Sequence, residues 1–266
     1  MTSSLTFSFN PSFENYGQLD LYSSPQANTK TPLLVFIHGG AWRSEDKQDH
    51  RQLALDFVNQ GFTVAVTNYR LSLRETPEQQ PKVQHPNHIQ DTFEALTFLY
   101  NTPPTLTYDK ENVFLVGHSA GAHIATMLIL DPQLYSLSFI RGIVGADGIY
   151  DLPLLLRTFP TYLDFVSQAF GPDSTTYFQA SPISKTPLLS SPSSLLVPTL
   201  IIHSMDDQLV DVAQANSIFH HLQSLNMDVT LDTTSVNGDH YDMIKSQDFI
   251  ITVSQYINKI IQKNAI

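Results

Sequence analysis

Val113-Phe114-Leu115-Val116-Gly117-His118-Ser119-Ala120-Gly121 carries a short apolar run straight into a Gly-x-Ser-x-Gly pentapeptide, and a helix-like segment, Ala122 to Leu130, leaves it. A strand, a turn too tight for large side chains and a helix, in that order, hold a serine hydroxyl exposed at the top of a sheet. Gly117 and Gly121 let the strand and helix backbones approach, and Ser119 takes the strained position between them. Alone, the pentapeptide is an incomplete signal. Its meaning depends on what lies upstream and downstream.

Working outward, apolar runs recur at strand length. Leu33 to Ile37 leads directly into His38-Gly39-Gly40-Ala41-Trp42, and Phe62 to Thr67, Ile140 to Ala146, Thr199 to His203 and Val229 to Thr233 follow the same pattern. Residues 5–9 and 18–22 read as an N-terminal hairpin. Between the runs lie helical patterns over about Gln48 to Gln60, from Pro86 through Tyr100, over Val212 to Leu225, and over 243–262 with Ile244, Ile250, Ile251, Ile257 and Ile260 on one face. Strands alternating with helices predict an α/β fold with a doubly wound, mostly parallel sheet in a single domain spanning 1–266. Roughly 150–195, rich in proline and aromatic residues, is too long for a simple connection and too apolar for a linker, so it is expected to form a small cap insertion over the site.

The 266 residues contain no cysteine, which removes disulfides, thiolate metal sites and a cysteine nucleophile. Lys and Arg total 14 against 25 Asp and Glu, a net charge of −11, and no basic run is present. Such a chain is a poor match for nucleic acid or an anionic membrane. The first seven residues lack the charged and apolar regions of a signal peptide, and no run approaches the roughly 18 apolar residues of a membrane span. The expectation is a cytoplasmic protein acting on a small molecule, with a homodimer left open.

Acyl transfer by serine needs a nucleophile, a base, an acid that orients the base, and donors for the developing oxyanion. In α/β-hydrolases the order is oxyanion loop, Ser, Asp or Glu, then His. His38-Gly39-Gly40 follows a strand well before Ser119, and the expected oxyanion donors are the N–H groups of Gly39, Gly40 and Ala120. Asp206 and Asp207 both sit in the loop after the strand 199–203. Asp207 is taken as the acid, because Val210 three residues later matches an Asp-x-x-Val pattern common in this fold. Of ten histidines, His240 alone lies after the acid, past one further strand and before the terminal helix. His123, on the elbow helix, reads as a packed histidine, and His203 as a brace for the acid loop. No metal and no cofactor is expected. The ligand spacings are wrong for zinc, and Gly117 to Gly121 lacks the lysine and the length of a phosphate loop.

These residues resemble the esterase/lipase branch of the α/β-hydrolases that carries His-Gly-Gly in its oxyanion loop. More closely, the chain resembles the kynurenine formamidases (arylformamidases), especially the fungal ones. The likeness runs from about residue 16 to 260 and rests on His38-Gly39-Gly40-Ala41-Trp42, on Gly117-His118-Ser119-Ala120-Gly121-Ala122-His123, and on Asp147-Gly148-Ile149-Tyr150-Asp151-Leu152. Ser204 departs from the branch, which has Gly there. The resemblance implies an α/β-hydrolase fold and hydrolysis of N-formyl-L-kynurenine to L-kynurenine and formate, a step of tryptophan degradation that can feed NAD synthesis. It implies a triad of Ser119, Asp207 and His240, with Trp42 and Tyr150 near the substrate; cap aromatics such as Phe159, Tyr162 and Phe165 could receive its ring, but for each of them local core packing is the expected role. The alternative is a broad-specificity carboxylesterase for short acyl esters, which uses the same machinery with a different pocket.

Overall fold

The computed structural model describes residues 2–76, 79–103, 105, 107–131, 137–186 and 197–264. Eight strands form one sheet: β1 (Ser3–Ser8), β2 (Gln18–Ser23), β3 (Pro32–Ile37), β4 (Thr63–Thr67), β5 (Asp109–His118), β6 (Ile140–Ala146), β7 (Thr199–Ile202) and β8 (Val229–Asp232). Their order is β1-β2-β4-β3-β5-β6-β7-β8. The expected hairpin, β1 with β2, is antiparallel, as is β2 with β4, and every later pairing is parallel.

Among the described residues, seven α-helices connect and cover the sheet: α1 (Arg51–Asn59), α2 (Asn87–Asn101), α3 (Ala120–Leu130), α4 (Leu152–Thr158), α5 (Leu163–Phe170), α6 (Ala213–Ser224) and α7 (Gln247–Asn264). Two expected helices are broken by tighter turns. The first begins as a 3-10 turn over Lys47–His50, and the last is preceded by one over Met243–Lys245, where Ser246 is extended and separates it from α7. Of the expected cap, 150–186 is described and contains α4 and α5, while 187–196 lies outside the described residues.

Leu33–Ile37 of β3 and Val113–Val116 of β5 are apolar on both faces because both faces of the sheet are covered there. Along β3, Leu33, Val35 and Ile37 join the core beneath α2, α3 and α5, while Leu34 and Phe36 point the other way into the core beneath α1 and α7. Each such side chain contributes on the order of 1.5–3 kcal/mol by leaving water. α3 lies so close to the sheet that a Cβ on Gly121 would stand 2.0 Å from the carbonyl oxygen of Ile37. A Cβ on Gly117 would stand 2.3 Å from the carbonyl oxygen of Gly121. The glycines of the pentapeptide are therefore fixed by contact.

This topology gathers the loops that matter. The segments after β3, β5, β6, β7 and β8 leave the C-terminal edge of the parallel strands, where ligands bind in open α/β sheets. They carry His38 to Trp42, Ser119, Asp147, Asp207 and His240 in turn. No helix among the described residues is long and apolar enough to cross a membrane.

Candidate active site

Ser119 lies between β5 and α3 with φ 54° and ψ −116°, a conformation that costs a non-glycine residue roughly 1–3 kcal/mol. Its N–H donates to the Ala146 carbonyl at 2.9 Å, and its own carbonyl receives the N–H groups of Ala122 and His123 as α3 begins. The strain is held by β6 on one side and by the helix on the other. The neighbouring His118 donates from Nε2 to the carbonyl oxygen of His240 at 2.9 Å. An x position of the pentapeptide thus anchors the loop after β8 to the elbow.

On that loop, His240 Nδ1 lies 2.7 Å from Asp207 Oδ2. The other Asp207 oxygen accepts the N–H groups of Leu209 at 2.8 Å and Val210 at 3.0 Å, so the carboxylate is fully hydrogen-bonded with its side chain out of water. Asp206 turns away and accepts the N–H of Gly238 at 3.1 Å. Ser204, the departure from the family pattern, donates its hydroxyl to the Gly238 carbonyl at 2.6 Å and ties the same two loops together.

The glycine loop lies directly against the nucleophile, since a Cβ on Gly39 would stand 3.0 Å from the Cβ of Ser119. One expected donor is corrected here. The Gly39 N–H is taken by Glu45 Oε2 at 3.1 Å. Among the described residues, the N–H groups of Gly40, Ala41 and Ala120 have no such partner. Tyr69 donates its hydroxyl to the carbonyls of His38 at 3.1 Å and Gly39 at 2.7 Å, and His50 Nε2 lies 3.1 Å from the same Glu45 oxygen. Burial works against ionisation of Glu45, but the hydrogen bond and charge of His50, with His38 nearby, outweigh it, and the carboxyl sits below its ordinary range.

Behind Asp207 lies a second buried carboxyl. Asp147, at φ 43°, accepts the Ser204 N–H on Oδ1 at 2.8 Å, while its Oδ2 has no hydrogen-bond partner among the described residues. Burial first, then the charge of Asp207, pushes it up to about 8 against the pull of that N–H. His203 Nδ1 is 3.3 Å away but off-line for a hydrogen bond. Two sets of donor atoms, His118/Asp147/His240 and Asp147/His203/Asp207, lie within 4.8 Å of one another and are the ones a cation would use. In each set, atoms already serve the contacts above.

Ser119 and His240 share a cavity of about 420 Å³ with Gly40, Ala41, Ile149 and Tyr241, and with Thr161, Tyr162, Asp164 and Phe165 from the segment after β6. A larger depression of about 970 Å³ opens at the opposite edge of the sheet among Asp109, Arg141, Asp228 and Lys259, and holds none of these loops. Trp42 and Tyr150, expected near the substrate, are both fully buried and line no part of the catalytic-side cavity. Trp42 packs edge-on against His123 and Phe170, and Tyr150 is pressed against the strand and turn glycines Gly145 and Gly148. Large aromatic surface fits a core as well as a pocket, and here the core takes it. His123 is packed too, with Nε2 donating to the Ala180 carbonyl at 2.8 Å. The aromatics that do line the cavity are Tyr162, Phe165 and Tyr241.

The BD-FAE family model matches residues 19–138, from β2 through the elbow helix. Kynurenine formamidase of Meyerozyma guilliermondii is 34% identical over 72% of this chain and 71% of its own length. The chain belongs to the kynurenine formamidase family. Another member, kynurenine formamidase avaC of Aspergillus versicolor, is 29% identical over 82% of the chain and 85% of its own. Among solved structures, an inhibited esterase B from Lactobacillus rhamnosis superposes with a TM-score of 0.77 over 99% of this chain and 88% of its own, at 19% identity. At that identity the likeness speaks to fold alone, and the fold is that of the α/β-hydrolases. As a kynurenine formamidase family member, the chain keeps the glycine loop and the serine elbow on successive central strands, β3 and β5.

Proposed function

We propose that the protein hydrolyses the formamide of N-formyl-L-kynurenine to L-kynurenine and formate, with Ser119 as nucleophile, His240 as base and Asp207 as the acid that orients it. The observation that carries this reading is the 2.7 Å contact of His240 Nδ1 with the buried Asp207 carboxylate, in a loop whose histidine shares one cavity with Ser119. The named activity of the family's curated relatives supplies the substrate.

His240, held by Asp207 through Nδ1–H, takes the Ser119 proton on Nε2 as Oγ bonds to the formyl carbon. The carbonyl electron pair becomes an oxyanion, stabilised by the N–H groups of Gly40, Ala41 and Ala120. As the C–N bond breaks, His240 passes its proton to the departing aryl amine. Water then attacks the formyl-serine, His240 accepts its proton, and the ester bond breaks to release formate and restore the Ser119 hydroxyl. Each proton has a protein acceptor, so the reaction as written calls for no metal or cofactor. The segment from residue 150 acts as a cap and closes the cavity from above within a single domain. The partner is a small molecule rather than nucleic acid or membrane, the compartment is the cytoplasm, and assembly as a homodimer is compatible with the scheme.

Formate release from N-formyl-L-kynurenine, set beside hydrolysis of p-nitrophenyl acetate, tests the reading. We expect kcat/KM to favour the formamide. A preference for the ester by orders of magnitude would overturn it in favour of a broad carboxylesterase.

A further inference from the structure

The cavity holds one pair of opposite charges that the chemistry at Ser119 does not use. Among the described residues, the charged side chains lining it, apart from His240, are Arg43 and Asp164. Arg43 comes from the loop just past the glycines, and Asp164 from the second turn-forming position of α5 in the cap. Arg43 Nη1 donates to Asp164 Oδ2 at 2.7 Å and to Gln168 Oε1 at 3.2 Å. Arg74 donates to the other Asp164 oxygen. Two guanidinium groups thus share one carboxylate, within a chain of net charge −11.

Stability is a weak reason for such a cluster. Asp164 is half-exposed, and ion pairs open to solvent contribute roughly 0–1 kcal/mol. Recognition is a better one. Among the described residues no hydrogen bond uses Nε or Nη2 of Arg43, which leaves part of its fork free for a second carboxylate. Asp164 engages one arginine through each oxygen, and a carboxylate offers about four acceptor positions, so it retains capacity for an ammonium group. The guanidinium stands 5.6 Å above the ring centre of Phe165, which also neighbours Tyr162 at 4.9 Å. The charged pair therefore adjoins the aromatic wall that would receive an aryl ring.

We propose that Arg43 and Asp164 form a subsite for a zwitterionic α-amino-acid head group, Arg43 taking the carboxylate and Asp164 the ammonium. The inference rests on the aryl-formamidase reading and deepens it. It selects, among aryl formamides, those that carry a free amino acid.

The test compares three substrates on the wild-type enzyme: N-formyl-L-kynurenine, its carboxylate methyl ester, and 2′-formamidoacetophenone, which lacks the head group. We expect kcat/KM for the zwitterion to exceed the other two by about 10- to 100-fold, the range for a hydrogen-bonded charged contact. Arg43→Gln should collapse the ratio of zwitterion to methyl ester to near one, and Arg43→Lys should keep part of it. A purely structural role would lower all three rates together and leave the ratio intact. Similar wild-type rates on all three substrates would overturn the subsite and leave the formamidase reading standing, as would a ratio that survives Arg43→Gln. Failure to release formate from any of them would overturn the formamidase reading, and the subsite with it. The wild-type comparison is decisive even if the variants do not fold.

Discussion

Glu45 Oε2 accepts the Gly39 N–H at 3.1 Å, so a carboxylate stands behind the loop that faces the nucleophile and fixes the direction of its first amide. With that amide turned to Glu45, the next two are the ones left for the cavity. Glu45 itself is held by His50, and Tyr69 clasps the two carbonyls on the same loop. Glu45→Ala should therefore loosen the oxyanion donors without touching the substrate. We expect kcat to fall about 10- to 100-fold, less than the roughly 10²–10³ lost when a donor is removed outright, with KM little changed. Glu45→Gln, which keeps an acceptor for Gly39, should recover most of the loss. A fall confined to KM in steady-state kinetics would contradict the positioning role.

The two adjacent aspartates of the β7 loop differ in what they bind. Asp207 faces His240, and Asp206 caps the Gly238 amide. Asp207→Asn should lower kcat by on the order of 10⁴, because the amide no longer holds the histidine in its working tautomer. Asp206→Asn should cost less than about tenfold. Labelling with a fluorophosphonate probe gives an independent check. It should be lost in Ser119→Ala, and equal losses of turnover in the two aspartate variants would refute the assignment.

Burial holds His38 and His85 at about 4 and His123 at about 3, and keeps His88, His118 and His203 below their ordinary value. In the unfolded chain each titrates near 6.5. The unfolded state therefore binds more protons below that pH, and the stability these groups contribute is lost as pH falls from about 6.5 toward 4. Asp147 has the opposite sign. Its raised value, about 8, means that its contribution is complete below the unfolded value and lost as pH rises through 8. Six groups against one decide the acid side, so the urea midpoint should drop clearly between pH 7 and pH 5. Asp147→Asn should flatten the decline of wild type between pH 6 and pH 9. A midpoint independent of pH from 7 to 5 would show that the histidines are not held neutral.

At Gly121 the added methyl of alanine meets main chain rather than a yielding side chain, since the Ile37 carbonyl lies 2.0 Å from where it would sit. Relief requires α3 to move off β3. Gly121→Ala should destabilise the fold by about 1–3 kcal/mol or more, read as a lower thermal midpoint, and should misplace Ser119 so that activity falls further than stability. Gly61→Ala is the contrast. It has a positive φ of 98° but nothing within 4 Å of the new methyl, so it should lose stability alone.

Much of this was readable in one dimension. The strands and their alternation with helices follow from local runs, while the choice of Asp207 over Asp206 leans on the Val210 spacing and a motif pattern rather than on those runs. What stayed hidden depends on pairings between distant segments. Arg43 meets Asp164 across 121 positions, and nothing near either residue marks the other. Glu45 lies in a polar loop whose composition gives no sign that it accepts a glycine amide. That Trp42 and Tyr150 lie in the core is hidden for a related reason: sequence shows that a ring is large and apolar, but not which side of the cavity wall it occupies. The broken starts of α1 and α7 turn on single-residue conformations, such as extended Ser246, that a helical periodicity averages away.

Asp164 gathers two arginines from separate stretches of chain, one beside the glycine loop and one beyond β4. The segment holding α4 and α5 is thus moored by charge beside the cavity, while Val166 and Ala169 moor it by burial. Salt weakens only the first mooring, over a screening distance of about 8 Å at physiological ionic strength. Ionic strength therefore becomes a handle on how firmly that segment is held, separate from the chemistry at Ser119. A turnover number that rises with salt would place the slow step at that segment rather than at Ser119.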